Sequence, residues 1–344
     1  MGNFTSKAVS APLLQPAIAG DGLMIKQLIG HFIAATSPQS KEDLAAYVNK
    51  SDNEGNTALH GAVFSGHLSI VKFLIEDCHA SISQKNKIGC SSFWIACGYG
   101  HVHIIEYFID QMKSMSYDLV QACNDVNSTG DTPLLAAVSK EHLEVVENVL
   151  SALDKHAWPI LTSKNNSGDT LLHVTVSSGY EGPILKALLD SEDRLLSEND
   201  ATSRPLGSKN AEGLSPLLVA CERNFLNIVK ELIKRGADVN TKDKNDRTPL
   251  AIASYCGCVD VMEYLLSIES MKGLLNDKDT NGCTPLWLAS RTGNLQMVKI
   301  LVDAGAEPSH ENNDGLTAKA AAEKYLKDKV ADYFNAKEIS EEIR

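Results

Sequence analysis

The fold is decided by a pattern first seen at residues 55–75, which read GNTALHGAVFSGHLSIVKFLI. The same order of residue types returns at residues 282–302, which read GCTPLWLASRTGNLQMVKILV. Both stretches place a Thr before an apolar run, then a Gly that can end a helix, then paired aliphatic residues at helical spacing. Two such segments, far apart in one chain, indicate an internal repeat.

The repeat covers nearly the whole chain. Its opening Thr or Ser recurs at intervals of 33 to 45 residues, at Thr57, Ser91, Thr132, Thr170, Ser215, Thr248, Thr284 and Thr317. An earlier, degenerate unit places Ala11 where Thr would stand, so nine units span residues 8–335. Because no single unit can bury its own apolar surface, stability must come from the stacking of neighbouring units.

These units resemble ankyrin repeats, whose signatures are Thr-Pro-Leu-His and Gly-His-x-x-Ile-Val-x-x-Leu-Leu. The resemblance implies an all-α fold, an ankyrin-repeat solenoid of helix-turn-helix units with protruding β-hairpin loops. Within each unit, the Thr hydroxyl should cap the first helix and Pro should occupy its first turn. Gly66 and its equivalents should end that helix. The run from Gly236 to Asn240 should then turn out into the loop between units.

The sequence predicts three parts: an N-terminal arm at 1–7, the solenoid at 8–335 and a charged C-terminal tail at 336–344. Insertions lie near 35–48, 110–123 and 191–209. The last insertion is polar and carries Pro205 and Gly207, so we expect an exposed, mobile loop there. Insertions of this kind often gather on a binding face, although loop tips also accept them neutrally.

The final repeat is expected to close the stack with a polar helix. Its first helix is followed by a charged stretch from Glu323 to Asp332. Terminal repeats need a polar outer face because no further unit covers them. This stretch meets that need.

Composition excludes several classes of partner. The formal net charge is −12 and the isoelectric point is near 5.3. A nucleic-acid-binding protein needs a basic face, and adhesion to an anionic membrane by charge alone needs one as well. The eight cysteines are irregularly spaced, which is typical of reduced thiols in a cytosolic protein. Pro12, Gln15 and Pro16 interrupt the apolar N-terminal run, so the degenerate repeat explains it better than a secretory signal.

The sequence carries no motif of an enzyme. It lacks a phosphate-binding loop, a dinucleotide glycine motif, a zinc-protease His pair and a kinase signature. Cys256 and Cys258 flank Gly257, the turn glycine of their repeat, and no second pair stands at metal-ligand spacing. Cys78 lacks the companion motifs of a nucleophile. We therefore expect no catalytic residue, metal, cofactor or small-molecule substrate.

The resemblance implies a binding face on the concave side of the stack. Residues seven and eight after each opening Thr, and those one, three and four before it, should face that side. The resulting protein-binding candidates are Phe64, Ile88, Tyr99, Arg223, Arg247, Tyr255, Arg291 and Lys324, with Ser139 and Lys140 between the early and late groups. Aromatic residues and Arg are enriched at interface hot spots. The late, basic group would suit an acidic peptide or helix, although ordinary surface variation also produces such residues.

Trp94 and Trp287 replace the His of the signature, and we expect both to pack against the next unit. The signature residues His60 and His173 are expected to be structural hydrogen-bonding groups inside their units. The histidines of the Gly-His step are equally well explained by the fold.

The chain begins Met1-Gly2-Asn3-Phe4-Thr5-Ser6-Lys7, which matches the pattern for N-myristoylation of Gly2. One myristoyl chain gives only marginal membrane binding. Lys7 is the one basic residue before Lys26, and no cysteine near the N-terminus could take a second lipid. We therefore expect a cytoplasmic protein with reversible, peripheral membrane association, or a lipid that is read by a partner.

Two functions agree with these observations. In the first, the chain is a non-catalytic adaptor or scaffold that holds a protein client of unknown identity on its concave face. In the second, it is a regulatory subunit or inhibitor that masks the active surface of an enzyme. The two differ in whether the activity of the partner changes on binding. The insertions are too short to make a catalytic function in them a serious third candidate.

Overall fold

The computed structural model describes residues 11–36, 41–113, 118–179, 181–196 and 204–342. The predicted N-terminal arm, including the lipidation candidate Gly2, lies outside these residues. The described chain is mostly helical, as predicted, and it divides into two compact units.

The first unit comprises Met1–Asn166 together with Lys186–Asn199. Its repeats are pairs of short helices, in which a first helix of the signature is followed by an antiparallel second helix. The helices are α1 (Leu14–Ala19), α2 (Gly22–Thr36), α3 (Lys41–Val48), α4 (Ala58–Phe64), α5 (Leu68–Glu76), α6 (Ser92–Tyr99), α7 (Val102–Met112), α8 (Leu119–Asn124), α9 (Pro133–Ser139), α10 (Leu143–Leu153) and α11 (Trp158–Thr162).

The second unit comprises Ser167–Leu185 together with Asp200–Arg344. Helix α13 begins in this unit, and its C-terminal part belongs to the first. The helices are α12 (Leu171–Ser177), α13 (Pro183–Leu195), α14 (Pro216–Glu222), α15 (Leu226–Lys234), α16 (Pro249–Cys256), α17 (Val259–Leu266), α18 (Pro285–Thr292), α19 (Leu295–Asp303), α20 (Ala318–Lys324) and α21 (Asp328–Glu342).

The predicted helix caps are confirmed. The hydroxyl oxygen of Thr284 accepts a hydrogen bond from the backbone N–H of Trp287 at 3.2 Å, and Pro285 occupies the first turn of α18. Thr132, Ser215 and Thr248 cap α9, α14 and α16 in the same way. Each cap supplies a partner for an N–H group that the helix itself cannot satisfy.

In four of the repeats, a ring in the third position after the cap links one repeat to the next. The Nδ1 atom of His60 accepts a hydrogen bond from the backbone N–H of Thr57 at 3.1 Å, so Nε2 carries the proton and donates to the Cys90 carbonyl at 3.2 Å. The indole N–H of Trp94 donates to the Asp131 carbonyl at 2.9 Å in the same manner. Trp and His therefore make the same connection, and the predicted packing role of Trp94 is only part of what it does.

The pattern repeats in the second unit. The Nε2 atom of His173 donates to the Leu214 carbonyl at 2.8 Å, and the indole N–H of Trp287 donates to the Leu316 carbonyl at 3.0 Å. The signature His is thus structural, as predicted, but it acts between repeats as well as within one.

The histidine of the Gly-His step makes a second link, in the opposite direction. The Nε2 atom of His142 donates to the Gly98 carbonyl at 3.3 Å, at the end of the preceding first helix. Gly100 closes that helix with a φ of 74°, and a Cβ atom there would lie 2.7 Å from Nδ1 of His142. The glycine is required both for the left-handed turn and for the close approach of the ring.

The loops between repeats are turns, and the predicted β-hairpins form no strand among the described residues. A single isolated bridge joins Lys85 and Ser91. The side-chain oxygen of Asp279 accepts hydrogen bonds from the backbone N–H groups of Asn281 at 2.9 Å and Cys283 at 2.8 Å. Because side chains take these amides, few remain for a ladder. Successive loops share single backbone bonds, such as the 2.9 Å bond from the Thr280 amide to the Asn245 carbonyl.

Lysine–aromatic contacts join successive second helices. The ammonium of Lys72 lies 5.4 Å from the ring centroid of Tyr107, and that of Lys230 lies 5.4 Å from Tyr264. Similar pairs are Lys26 with Phe73 at 5.2 Å and Lys299 with Tyr333 at 6.0 Å. Each exposed pair of this kind contributes about 0.5–1 kcal/mol. These lysine–aromatic pairs were not predicted from the sequence, because the lysine and the aromatic residue of each pair lie in different repeats.

Parts of the predicted insertions are ordered. Helix α3 occupies most of the first one. In the third, the expectation of an exposed loop is wrong for Pro205 and Leu206, which form a short 3₁₀ turn and are buried. Their apolar surface is covered because Leu206 packs under the following repeat, and this anchors the end of the insertion.

The C-terminal end also differs from the prediction. The charged helix expected from Glu323 to Asp332 is interrupted after Lys324, where Leu326 adopts a φ of 55°. Helix α21 then continues through Glu342, so most of the predicted tail 336–344 is helical. The sequence after Asp328 contains no Gly or Pro to end a helix.

We predict that His60 makes stability depend on pH. Its side chain is fully buried, and burial lowers its pKa from 6.5 to about 4. Below pH 6.5 the unfolded chain binds a proton that the folded chain rejects, so this contribution to stability is present above that pH and is lost as the pH falls towards 4. The expected loss at pH 5 is roughly 2 kcal/mol, measured by urea unfolding.

The control is His60→Gln, which removes the titrating group. Its unfolding midpoint should change less between pH 7 and pH 5 than that of the wild type. An equal change in both proteins would contradict the assignment to His60.

We predict opposite effects for two Gly→Ala substitutions. Gly100→Ala places a side chain at a φ of 74° against His142 and should lower stability by at least about 1 kcal/mol. Gly30→Ala lies inside the exposed part of α2, where a Cβ atom would meet nothing within 4 Å. It should raise stability by about 0.5–1 kcal/mol, because Ala favours the helix. Thermal unfolding of both variants tests the pair, and a stabilising Gly100→Ala would be incompatible with this packing.

Candidate functional site

The first unit brings the early group of predicted residues together. Phe64 ends α4 and Tyr99 ends α6, and their rings meet edge to face with centroids 4.7 Å apart. Tyr99 is 41% exposed, and Ile88, in the preceding loop, is 36% exposed. These side chains form an apolar surface that is open to solvent. Such residues typically supply interface hot spots.

Beside this pair lies a cavity of about 470 Å³. We call it the aromatic groove and define it by its lining residues, which come from two successive repeats: Asn86, Ile88, Cys90, Trp94, Ile95, Gly98, Tyr99, Asn127, Asp131, Ala136, Ser139, Lys140 and His142. Of the early predicted residues, Ile88 and Tyr99 line the groove, whereas Phe64 supports Tyr99 from outside it.

The groove is open because a small residue stands seven positions after the opening Ser91 of its repeat. This position holds Phe64, Gly98 and Ser139 in three successive repeats. A Cβ atom on Gly98 would lie 3.3 Å from the Trp94 ring and 3.4 Å from Cβ of Ala136, so a side chain here would fill the space. Gly98 was not among the residues predicted from the sequence. The signal that could have identified it is a glycine at a surface position where the neighbouring repeats hold larger residues.

The polar groups of the groove are mostly occupied by the loops. The carboxylate of Asp131 accepts hydrogen bonds from the hydroxyl of Thr129 at 2.6 Å and the amide of Asn165 at 3.0 Å. Burial raises the pKa of the Cys90 thiol to about 12, so it stays neutral. Burial and nearby Cys90 raise the pKa of Tyr99, whose hydroxyl therefore remains a donor at neutral pH. Among the donors of the groove, the Tyr99 hydroxyl and the Lys140 ammonium have no hydrogen-bond partner within the described chain.

The second unit contains a cation held between aromatic rings. The guanidinium of Arg291 lies 5.2 Å from the ring centroid of Tyr325 and 6.0 Å from that of Trp287. The ammonium of Lys324 lies 5.9 Å from the Tyr325 ring. We call Arg291, Lys324 and Tyr325 the basic cluster. Stacked guanidinium groups are well suited to carboxylates because the stacking holds their donors in place.

Arg247, predicted to bind a partner, is engaged elsewhere. Its Nη2 atom lies 2.6 Å from the carboxylate of Asp243, and its Nε–H donates to the same oxygen at 2.7 Å. The Asp243 side chain is only 1% exposed, so it needs this charge partner within the fold. Arg247 therefore has a structural role in its own loop.

Arg223 and Tyr255 are exposed, at the ends of α14 and α16. Charges of both signs lie near this end of α16. Burial raises the pKa of the Cys256 thiol, the Glu222 carboxylate raises it further, and Arg247 lowers it. The late predicted group is thus mixed in sign at this point, and the basic cluster is its most coherent part.

The cysteine sites that the sequence singled out have no reactive geometry. Cys78 is buried, and burial raises the pKa of its thiol to about 11, which disfavours a thiolate nucleophile. The Cys258 thiol donates a long, 3.7 Å hydrogen bond to the Glu222 carbonyl. In the described part of the chain, no three acidic, His or Cys side chains converge as a metal ion would require. Nor is any helix there both long and apolar enough to traverse a bilayer.

Known proteins with detectable similarity share this repeat. Transient receptor potential cation channel subfamily A member 1 of Drosophila melanogaster is 28% identical over 279 residues, which is 74% of this chain and 23% of that protein. The nuclear factor NF-kappa-B p105 subunit of Gallus gallus is 30% identical over 160 residues, 44% of this chain and 14% of that protein. This chain spans less than a quarter of the length of either relative.

Structure and family models agree with these relatives. The crystal structure of the ankyrin repeat domain of Bcl-3, of the IkappaB protein family, matches with a TM-score of 0.56 and 26% identity, covering 68% of this chain and 94% of that one. The family model for ankyrin repeats in three copies matches residues 78–157 and 172–272, and the single-repeat model matches residues 54–87 and 281–313. These matches cover more than half of the chain, which therefore belongs to the ankyrin-repeat family, whose fold is typically a non-catalytic protein-interaction domain.

Proposed function

We propose that this chain is a non-catalytic adaptor or scaffold that holds a protein client on its concave face. The observation that carries the proposal is the aromatic groove, in which exposed Tyr99 and Ile88 border an open cavity of about 470 Å³. Soluble proteins seldom expose large aromatic side chains beside a cavity without a binding purpose.

The basic cluster is a second candidate contact surface, and it lies within the second unit. The chain as a whole carries a net charge of −12, whereas Arg291 and Lys324 place two positive charges beside Tyr325. Charge of this kind improves selectivity and association rate more than affinity. The cluster would therefore select among segments that bind the second unit, and the groove would supply anchoring energy in the first.

The regulatory-subunit alternative uses the same surfaces. It differs only in its consequence, since a masked enzyme loses activity when it binds. Once a partner is identified, assay of that partner with and without this chain decides between the two.

We further propose that the protein is cytoplasmic and associates reversibly with membranes through myristate on Gly2. The support is the spacing of Gly2 and Ser6, together with irregularly spaced cysteines that are typical of a reducing compartment. A single acyl chain binds bilayers with an association constant on the order of 10⁴ per molar, which makes such residence transient.

We predict that a partner captured from the native cells depends on the concave side chains. The tagged wild type is compared with Tyr99→Ala and with the double variant Arg291→Ala, Lys324→Ala, and recovery is measured by quantitative mass spectrometry. Loss of a hot spot costs about 2 kcal/mol or more, so the affected variant should bind roughly 30-fold more weakly.

Lys234→Ala is the matched control, because the side chain is 78% exposed on the second helix of its repeat. It should retain the partner. Loss in the control alone, with retention in both concave variants, would place the interface on another face. Thermal unfolding confirms that all variants are folded.

We predict that Gly2→Ala abolishes N-terminal acylation and lowers the membrane-bound fraction. Asn3→Ala keeps Gly2 and Ser6 and should behave as the wild type. The N-terminal peptide is measured by mass spectrometry, and the distribution by fractionation. A wild-type peptide that carries no acyl group would remove the lipid from the proposal.

A further inference from the structure

The aromatic groove can be assigned a class of ligand, an inference that rests on the proposed function. The walls are apolar and come from both repeats: Ile88, Trp94, Ile95 and Ala136 surround the space that Gly98 leaves open. The volume of about 470 Å³ falls within the range of roughly 300–1,000 Å³ that is usual for ligand pockets. An apolar or aromatic side chain is therefore the natural occupant.

The groove offers few hydrogen bonds to that occupant. The side-chain oxygen of Asn86 accepts from the Cys90 amide at 2.9 Å, and its amide group donates to Asn56 at 3.0 Å. The side-chain oxygen of Asn127 accepts from the backbone amides of Asp131 at 2.8 Å and Thr129 at 3.0 Å. Because these groups are satisfied within the loops, the floor favours an apolar group over a polar one.

Two of the remaining polar groups are donors that can meet a carboxylate. In the described chain, neither the Tyr99 hydroxyl nor the Lys140 ammonium has a hydrogen-bond or ion-pair partner. Lys140 ends the first helix of its repeat and is exposed, so its charge stands at the rim rather than the floor. The Asp131 carboxylate nearby is already held by Thr129 and Asn165. A ligand that brings a carboxylate to the rim would meet both donors.

We propose that the aromatic groove binds a linear segment of a partner protein in which an aromatic or large aliphatic side chain is flanked by Asp or Glu. The apolar side chain fills the space above Gly98, and the carboxylate pairs with Lys140 and Tyr99. Overall repulsion from a chain of net charge −12 disfavours strongly acidic segments, so one flanking carboxylate is selected rather than an acidic run.

The test begins with a phage-displayed library of random linear peptides, selected on the full-length wild-type chain. Enriched peptides are synthesised with a fluorescent label, and their dissociation constants are measured by fluorescence anisotropy. The expected consensus is an apolar residue beside Asp or Glu. Gly98→Leu fills the groove and should weaken these peptides at least about tenfold. Ser177→Leu, the same kind of change at the seventh position of another repeat, should leave them unchanged.

A charge exchange tests the role of Lys140. Lys140→Glu should weaken the selected peptides about tenfold, and replacing the peptide carboxylate with Lys should restore binding to this variant. Lys155→Glu makes the same change of charge at an exposed site outside the groove and should have no effect beyond about twofold. Ile88→Asp at the rim provides a second way to block the groove if Gly98→Leu does not fold.

The outcomes separate the inference from the proposed function. Peptides that bind Gly98→Leu, Ile88→Asp or Lys140→Glu as tightly as the wild type would overturn the groove assignment while leaving a peptide-binding module in place. A library that yields no peptide dependent on these residues would also overturn it. Failure of the adaptor proposal itself would instead appear as the absence of any partner that depends on the concave face.

Discussion

A ring that crosses from one repeat to the next is the side-chain contact on which four junctions between the described repeats depend. His60 and Trp94 each donate a ring N–H to a backbone carbonyl of the following loop, at 3.2 and 2.9 Å. Each loop carbonyl would otherwise face a narrow, partly buried gap. Since buried polar groups are costly when unpaired, the bond fixes the spacing of the loops as well as joining them. At a junction without such a ring, where Ala251 takes its position, the bond from the Thr280 amide to the Asn245 carbonyl joins the loops through the backbone.

The exchange of His for Trp has a consequence for the surface. Both residues satisfy the carbonyl of the following loop, but an indole is larger than an imidazole and presents more apolar surface. At Trp94 this extra ring forms one wall of the aromatic groove, and Gly98 in the same helix leaves the space above it. At Trp287 the ring meets Arg291 and Tyr325 instead, because the seventh position holds a long cation. One substitution in the framework therefore gives two different surfaces, according to the residue four positions later.

The sequence predicted the fold well because its signals are local. Cap residues such as Thr284 act within one turn of their helix, and turn glycines such as Gly100 act within one loop. The lysine–aromatic contacts, which join separate repeats, were missed, and so was the pair of Arg247 with Asp243. For Arg247 the partner is only four residues away, but the need for it arises from the burial of Asp243, which a sequence does not display. The groove was not predicted for a related reason. It is formed by the atoms that surround Gly98, and those atoms come from two repeats.

Framework and surface are separated by position within each repeat, and this explains how binding residues can vary without loss of the fold. The cap holds the first helix within a repeat, and the crossing ring and the histidine of the Gly-His step make bonds between repeats. Positions seven and eight lie beyond them, at the end of the first helix, and carry residues as different as Gly98, Ser139 and Arg291. A change there alters the shape or charge of one repeat while each link to its neighbours persists. Because stability in such a stack is close to a sum of repeat and nearest-neighbour contributions, a change at one surface position has only a local energetic effect. Residues of the aromatic groove and of the basic cluster can therefore change independently, each within its own unit.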